Sequence, residues 1–284
     1  MTFDEAIQIY QSNTTHRSKW RDVYCVNRLR PHFTGKKIQD LKRIHIRAYI
    51  AARTLDGVKL STVARELRVF QAAINFVRLE HDRPDLIDPI ERIGIKSDEP
   101  RIRWITTDEA TRLIAEASLY AKRPHLPSFI RLALATGCRK NELLKLKWTA
   151  IDWTRKVLNL EGIETKSGKR RIIPLNAQAL DALRTMHAWV NRRVPSAEWV
   201  FAMENAARLT TLQKGFSAAC RRLKIENFRI HDLRHTFASW LVMAGESLYV
   251  VKELLGHSSI TVTERYAHLA PSQTRNAVEK MQSF

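Results

Sequence analysis

From Ser61 onward, Val63, Leu67, Phe70, Ile74 and Val77 recur at steps of four and three. One apolar stripe of that period predicts a helix ending near His81. Its outer face carries Arg65, Arg68 and Arg78, the composition of a solvated face. At the start of the chain, Thr2 followed by Glu5 has the spacing of a capping box and predicts a helix opening almost at the first residue. On that pattern no additional amino-terminal domain is expected. From Asp82 to Arg103 the period disappears, charges are mixed and Pro84, Pro89 and Pro100 intervene. This stretch reads as a connector, with a domain boundary near residue 100.

Beyond it the pattern changes. Thr106 with Glu109 repeats the capping-box signal, and Ser128 to Ala135 predicts a further helix stopped by Gly137. Val157 to Leu160 and Arg170 to Leu175 are short β-prone runs. The loop between them contains Lys166, Ser167, Gly168 and Lys169, which predicts a hairpin. After Asn176 the helical pattern returns, with Gly245 and Gly256 as stop signals. The expected architecture is two-domain and mainly α, with a helical first domain and a mixed α+β second domain holding a small antiparallel sheet.

Composition narrows the partner. The 284 residues carry 48 Lys and Arg against 29 Asp and Glu, and after residue 100 the counts are 30 against 16. Such an excess suits a polyanion better than a small neutral substrate. No apolar run approaches the roughly 18–20 residues that span a bilayer, and the acidic-leaning amphipathic start is unlike a signal peptide, so the expected location is the cytoplasm. Cys25, Cys138 and Cys220 are odd in number and widely spaced, which predicts free thiols rather than a disulfide framework or a zinc site.

Four clusters stand out: ATGCRKNELLKLKW around Arg139, TKSGKRRIIPL around Lys166, HDLRH at 231–235, and LLGHSSITVTERYAH at 254–268. Each has an ordinary structural explanation. Arg139 is placed to pair with Glu142, a hairpin lysine is usually solvated, and a tyrosine beside a helix is usually core. The two histidines of HDLRH are spaced like a zinc-protease pair, but Asp232 stands where such a helix needs Glu, and no third ligand follows at a suitable spacing. The i, i+3 offset of His231 and Arg234 instead puts an imidazole and a fixed cation on one helix face, an arrangement suited to holding a phosphate.

Taken in this order, the four clusters resemble the signature of the tyrosine recombinase family, which includes phage integrases and Xer-type recombinases. Residues 1–98 resemble, more loosely, the helical, SAM-like core-binding domain of that family. Residues 99–284 resemble its catalytic domain, with a carboxy-terminal tail from about 268. Position by position, the resemblance assigns Arg139 as the first catalytic arginine, Lys166 as the hairpin lysine, and His231 with Arg234 as the His-x-x-Arg pair. It assigns His257 to the following His or Trp position and Tyr266, nine residues later, as the nucleophile. His235 and Glu142 also match common family residues and are read as supporting structure.

The resemblance implies a site-specific recombinase that cleaves DNA through a 3′-phosphotyrosine intermediate, releases a 5′ hydroxyl, and rejoins by the reverse attack. Arginines suit the charge that builds on the non-bridging oxygens. An ordinary phenol has a pKa of about 10 and needs a base, for which His231 is the natural candidate. Lys166 is the candidate general acid for the departing 5′ oxygen. One phosphoester replaces another, so no cofactor and no metal is expected, in keeping with the lack of a Walker loop or carboxylate cluster. The implied partners are double-stranded DNA and further copies of the chain, as a tetramer on two DNA sites. In that family the segment after the tyrosine packs on a neighbouring protomer, and Ala277, Val278 and Met281 offer an apolar anchor for packing on either the same domain or a neighbour. A type IB topoisomerase and a regulator without catalysis are the alternatives. The intact residue set argues against the regulator, and the helical first domain argues against the topoisomerase.

Overall fold

The computed structural model describes residues 1–16, 19–95, 102–119, 123–161 and 170–270. The chain divides into two compact units, Met1–Pro100 and Arg101–Phe284. The hairpin loop with Lys166 and the tail with Ala277, Val278 and Met281 lie outside the described residues.

The first unit is helical: α1 (Phe3–Asn13), α2 (Lys19–Phe33), α3 (Arg43–Leu55) and α4 (Leu60–Glu80). The Thr2 and Glu5 capping box forms as expected, with both reciprocal hydrogen bonds in place. Along α4 the predicted stripe Val63, Leu67, Phe70, Ile74 and Val77 is fully buried. It packs with Phe3 of α1 and Phe33 of α2 around Phe70, ring centroids 4.9 and 5.4 Å away. One charge departs from the stripe. Glu66 is buried and is held by a bidentate pair with Arg53 and by the Tyr49 hydroxyl, which donates to it at 2.5 Å. A buried carboxylate persists only with such partners.

In the second unit, α5 (Thr107–Leu119) starts at the Thr106 and Glu109 box. It is followed by α6 (His125–Thr136) and α7 (Lys140–Leu144). Helix α6 begins three residues earlier than its periodicity predicts and is buried on nearly every side, the property of a central helix. Gly137 ends it in the left-handed conformation, φ 62°, where an added Cβ would collide with the Phe237 ring.

Three antiparallel strands follow, β1 (Ile151–Asp152), β2 (Val157–Leu160) and β3 (Arg171–Pro174), in the order β1-β2-β3. The short β1 has no counterpart in the sequence reading. Cross-strand pairing of Leu158 with Ile173 and of Leu160 with Arg171 puts these four on the buried face, because alternate residues share a face. The register therefore drives an arginine inward and leaves Ile172 exposed.

The remaining helices are α8 (Ala177–Arg193), α9 (Gln213–Arg222), α10 (Asp232–Met243), α11 (Leu248–Leu255) and α12 (Thr261–Glu264). The predicted stops are in place: Gly245 follows α10 with φ 91°, and Gly256 caps α11 with φ 65°. The three cysteines are buried free thiols. Among the described residues no helix is long and apolar enough to cross a membrane.

Candidate active site

Three chain segments meet at one backbone carbonyl. Leu255 ends α11, where unpaired carbonyls give the helix terminus partial negative charge. Its oxygen accepts from Arg234 Nη2 at 2.7 Å and also from Arg171 Nη1. The second arm of Arg234 donates to the Gly137 carbonyl at 2.8 Å. Arg234 thereby ties the end of α6, which presents Arg139, to the end of α11, which presents His257. Both carbonyls are free to accept because a left-handed glycine terminates each helix.

Arg139 sits two residues beyond Gly137, at the start of α7. Its Nη1 pairs with Glu142 Oε1 at 2.7 Å, and its backbone N–H donates to Oε2 at 2.8 Å. Glu142 Oε2 also accepts from Arg171 Nη2 at 2.8 Å. The expected ordinary pairing of Arg139 with Glu142 is thus present, and it is part of a larger cluster. Burial alone would raise the Glu142 carboxyl, but Arg171 and Arg139 outweigh it and hold the carboxyl below its usual range.

His231 stands at the N-cap of α10 rather than within it, already in helical dihedrals, φ −69° and ψ −24°. The one-turn offset to Arg234 is therefore kept. His231 exposes one side to solvent, while Arg234 is almost fully buried. The protein packed around its inner side, then the Arg234 charge, lower the His231 pKa. Burial, Arg234 and Arg139 push His257 down to about 3, and burial with His231 pushes His235 to about 4. All three rings are neutral at neutral pH. Burial together with Arg139 and Arg171 lowers Arg234 to about 9, which leaves it charged.

Tyr266 lies in a small apolar cluster with Phe237, Val242, Val251 and Leu255, and only 1% of it is exposed. Its hydroxyl is 2.5 Å from Nδ1 of His235, not paired with His231, the base expected from the sequence. The rings of His231 and His235 stack edge to face with centroids 5.1 Å apart. Burial raises the phenol pKa, and Arg234 and Arg265 pull in the opposite direction.

Five of the six predicted residues therefore fall in one cluster: Arg139, His231, Arg234, His257 and Tyr266. Lys166 lies outside the described residues. Sequence reasoning set His235 and Glu142 aside as support and did not single out Arg171 or Thr263, whose hydroxyl lies 2.8 Å from His257 Nδ1. For Arg171 a signal existed in the strand alternation, once the register with Leu160 is known. Among the described residues no group of three His, Cys, Asp or Glu is arranged to hold a metal ion.

The cluster holds Arg139, Arg171 and Arg234 around one carboxylate. Such a cationic pocket, only partly compensated by Glu142, with three neutral imidazoles and a phenol, is chemically matched to a phosphodiester.

The phage integrase family model matches residues 103–273. The integrase of Salmonella phage P22 is 35% identical over 195 residues, covering 65% of this chain and 48% of the phage protein. This chain thus spans about half the length of that relative. Tyrosine recombinase XerD of Caulobacter vibrioides is 31% identical over 261 residues, 87% of this chain and 83% of that protein. Among solved structures, the Tn1549 transposon integrase in complex with a circular intermediate DNA superposes with a TM-score of 0.82 at 19% identity, covering 99% of this chain and 100% of that one. A lambda integrase dimer bound to a core site gives a TM-score of 0.75 at 20% identity, with 94% and 95% covered. At these identities the structural likeness establishes the fold.

Proposed function

Because this chain belongs to the phage integrase family of tyrosine recombinases, we propose that it cuts and rejoins duplex DNA site-specifically, with Tyr266 as the nucleophile. The observation that carries the proposal is the double hydrogen bond of Arg234 to Gly137 and Leu255, which brings three separate motifs to one pocket.

In the proposed reaction Tyr266 Oη attacks the scissile phosphorus, the bond from phosphorus to the 5′ oxygen breaks, and a 3′-phosphotyrosine forms. The phenol proton passes to His231, whose neutral ring is able to accept it. The 5′ oxygen takes a proton from Lys166, a role that rests on the sequence motif. Arg139 and Arg234 stabilise the charge on the non-bridging oxygens, and His257 adds a hydrogen bond there. The 5′ hydroxyl of a partner strand then attacks the phosphotyrosine, and the proton transfers reverse. His235 holds the phenol before DNA engages.

Residues 1–98 serve as the core-binding domain and 99–284 as the catalytic domain, which together grip duplex DNA mainly through phosphates. Recombination takes place in a tetramer of this chain on two DNA sites. That the lambda relative was solved as a dimer on its core site supports assembly on DNA.

The test is a nicked duplex selected by the protein from a random-sequence pool. A covalent protein–DNA band on denaturing gels that Tyr266→Phe abolishes is the expected result. An adduct that survives the substitution overturns the assignment.

A further inference from the structure

Thr263 is fully buried on α12, and its two ends hold two different residues of the site. Its Oγ1 lies 2.8 Å from His257 Nδ1, and its carbonyl accepts the backbone N–H of Tyr266 at 3.0 Å. The residue proposed to touch the phosphate and the residue proposed to attack it are therefore anchored to one threonine.

The side-chain contact decides what His257 offers. A neutral imidazole carries one N–H, on either Nδ1 or Nε2, and the other nitrogen presents a lone pair. Only the N–H edge attracts a phosphate oxygen; the lone-pair edge repels it. Burial of the ring, and then the charges of Arg234, Arg139, Arg265 and Arg171, disfavour the doubly protonated form. The choice between the two neutral tautomers then matters. Thr263 has a hydroxyl that donates as well as accepts, and it occupies Nδ1.

We propose that Thr263 is a positioning residue that donates its hydroxyl hydrogen to His257 Nδ1, so that the single N–H of the ring sits on Nε2, ready for a non-bridging phosphate oxygen. The inference rests on the reading of this cluster as the strand-cleaving site. Through its carbonyl the same residue sets where the backbone of Tyr266 begins, so phosphate binding and nucleophile placement share one support.

The tautomer is read directly, without DNA. In full-length protein labelled with ¹⁵N-histidine, long-range ¹H–¹⁵N spectra at neutral pH assign the proton to one ring nitrogen, with the His257 signals identified by their loss in His257→Gln. Wild type and Thr263→Ser are expected to carry it on Nε2, and Thr263→Val to show a mixture of tautomers. A proton on Nδ1 in the wild type overturns the proposal. In cleavage of the selected nicked duplex, Thr263→Val is expected to lose about tenfold or more, the scale seen when the outer partner of a ligating histidine is removed. Duplex binding should stay close to wild type, and Thr263→Ser should restore cleavage. Equal cleavage by the Val and Ser variants overturns the proposal. Failure of the wild type to form any adduct would instead overturn the reading of the site, while the spectra of wild type and Thr263→Ser still decide the tautomer.

Discussion

The hydroxyl of Tyr266 is hydrogen-bonded to Nδ1 of His235, 2.5 Å away, inside an apolar cluster that covers all but 1% of the tyrosine. The proposed nucleophile is thus satisfied and sheltered, and its phenol is held above its ordinary pKa by burial. Attack on DNA requires this bond to be exchanged for contact with the phosphate.

Substitutions at the two ends of that bond should separate. Tyr266→Phe removes the nucleophile and leaves the buried His235 Nδ1 without its partner, so adduct formation should vanish while stability falls by about 1–3 kcal/mol. His235→Ala leaves a buried phenol unpaired and should cost about 1–3 kcal/mol, with adduct formation retained. Thermal unfolding and denaturing gels measure both. Complete loss of the adduct in His235→Ala would move the role of proton acceptor from His231 to His235.

The two arginines should differ as well. Arg139 is partly exposed, so Arg139→Ala should reduce cleavage by about a hundredfold or more with most DNA binding and stability intact. Arg234 is buried, and its loss strands the carbonyl of Gly137 and leaves that of Leu255 to Arg171 alone. Arg234→Ala should therefore lose cleavage and also about 2–3 kcal/mol of stability. Equal stability of the two variants by denaturant unfolding would contradict the bridging role.

Gly256→Ala tests the helix terminus. The backbone there has φ 65°, and an added Cβ would lie 2.5 Å from Arg171 Nη1. Arg171 must shift, and the Leu255 carbonyl that Arg171 shares with Arg234 moves with it. Cleavage should fall more than duplex affinity does, because phosphates elsewhere carry most of the binding. An unchanged single-turnover cleavage rate would show that this carbonyl does not position Arg234.

Stability should depend on pH in a defined window. His235 and His257 have folded pKa values of about 4 and about 3 against an ordinary 6.5, and His231 is lowered too. Below 6.5 the unfolded chain binds protons that the folded protein refuses, so stability is full above that value and declines as pH falls toward 4. Glu142, lowered by its arginines, adds a loss that begins below its ordinary 4.5. Melting temperatures from pH 7.5 to 4 should show the decline, and His235→Gln with His257→Gln should flatten it. An undiminished slope in that double variant would mean that other groups drive it.

Much of this protein is written in short-range pattern. The caps at Thr2 and Thr106, the stripe of α4, the stops at Gly137 and Gly256 and the two longer strands depend on neighbours within a few residues, and they are where the sequence places them. Motif order likewise singled out Arg139, His231, Arg234, His257 and Tyr266, which the fold gathers in one cluster. What remained illegible depends on packing between distant segments. Arg234 reaches Gly137 across 97 residues, and Arg171 reaches Leu255 across 84.

The residue types and their order pointed by themselves to phosphodiester chemistry, because the four motifs supply arginines, histidines and a tyrosine in the order of the family they resemble. Only the tertiary structure decided that Tyr266 rests on His235 rather than His231. It alone turned Arg171 inward, through a strand register, and placed the Thr263 hydroxyl on His257. The physical reason is common to all three. A hydrogen bond has a reach of about 3 Å, and which groups come that close is set by how helices and strands pack, not by their separation in sequence.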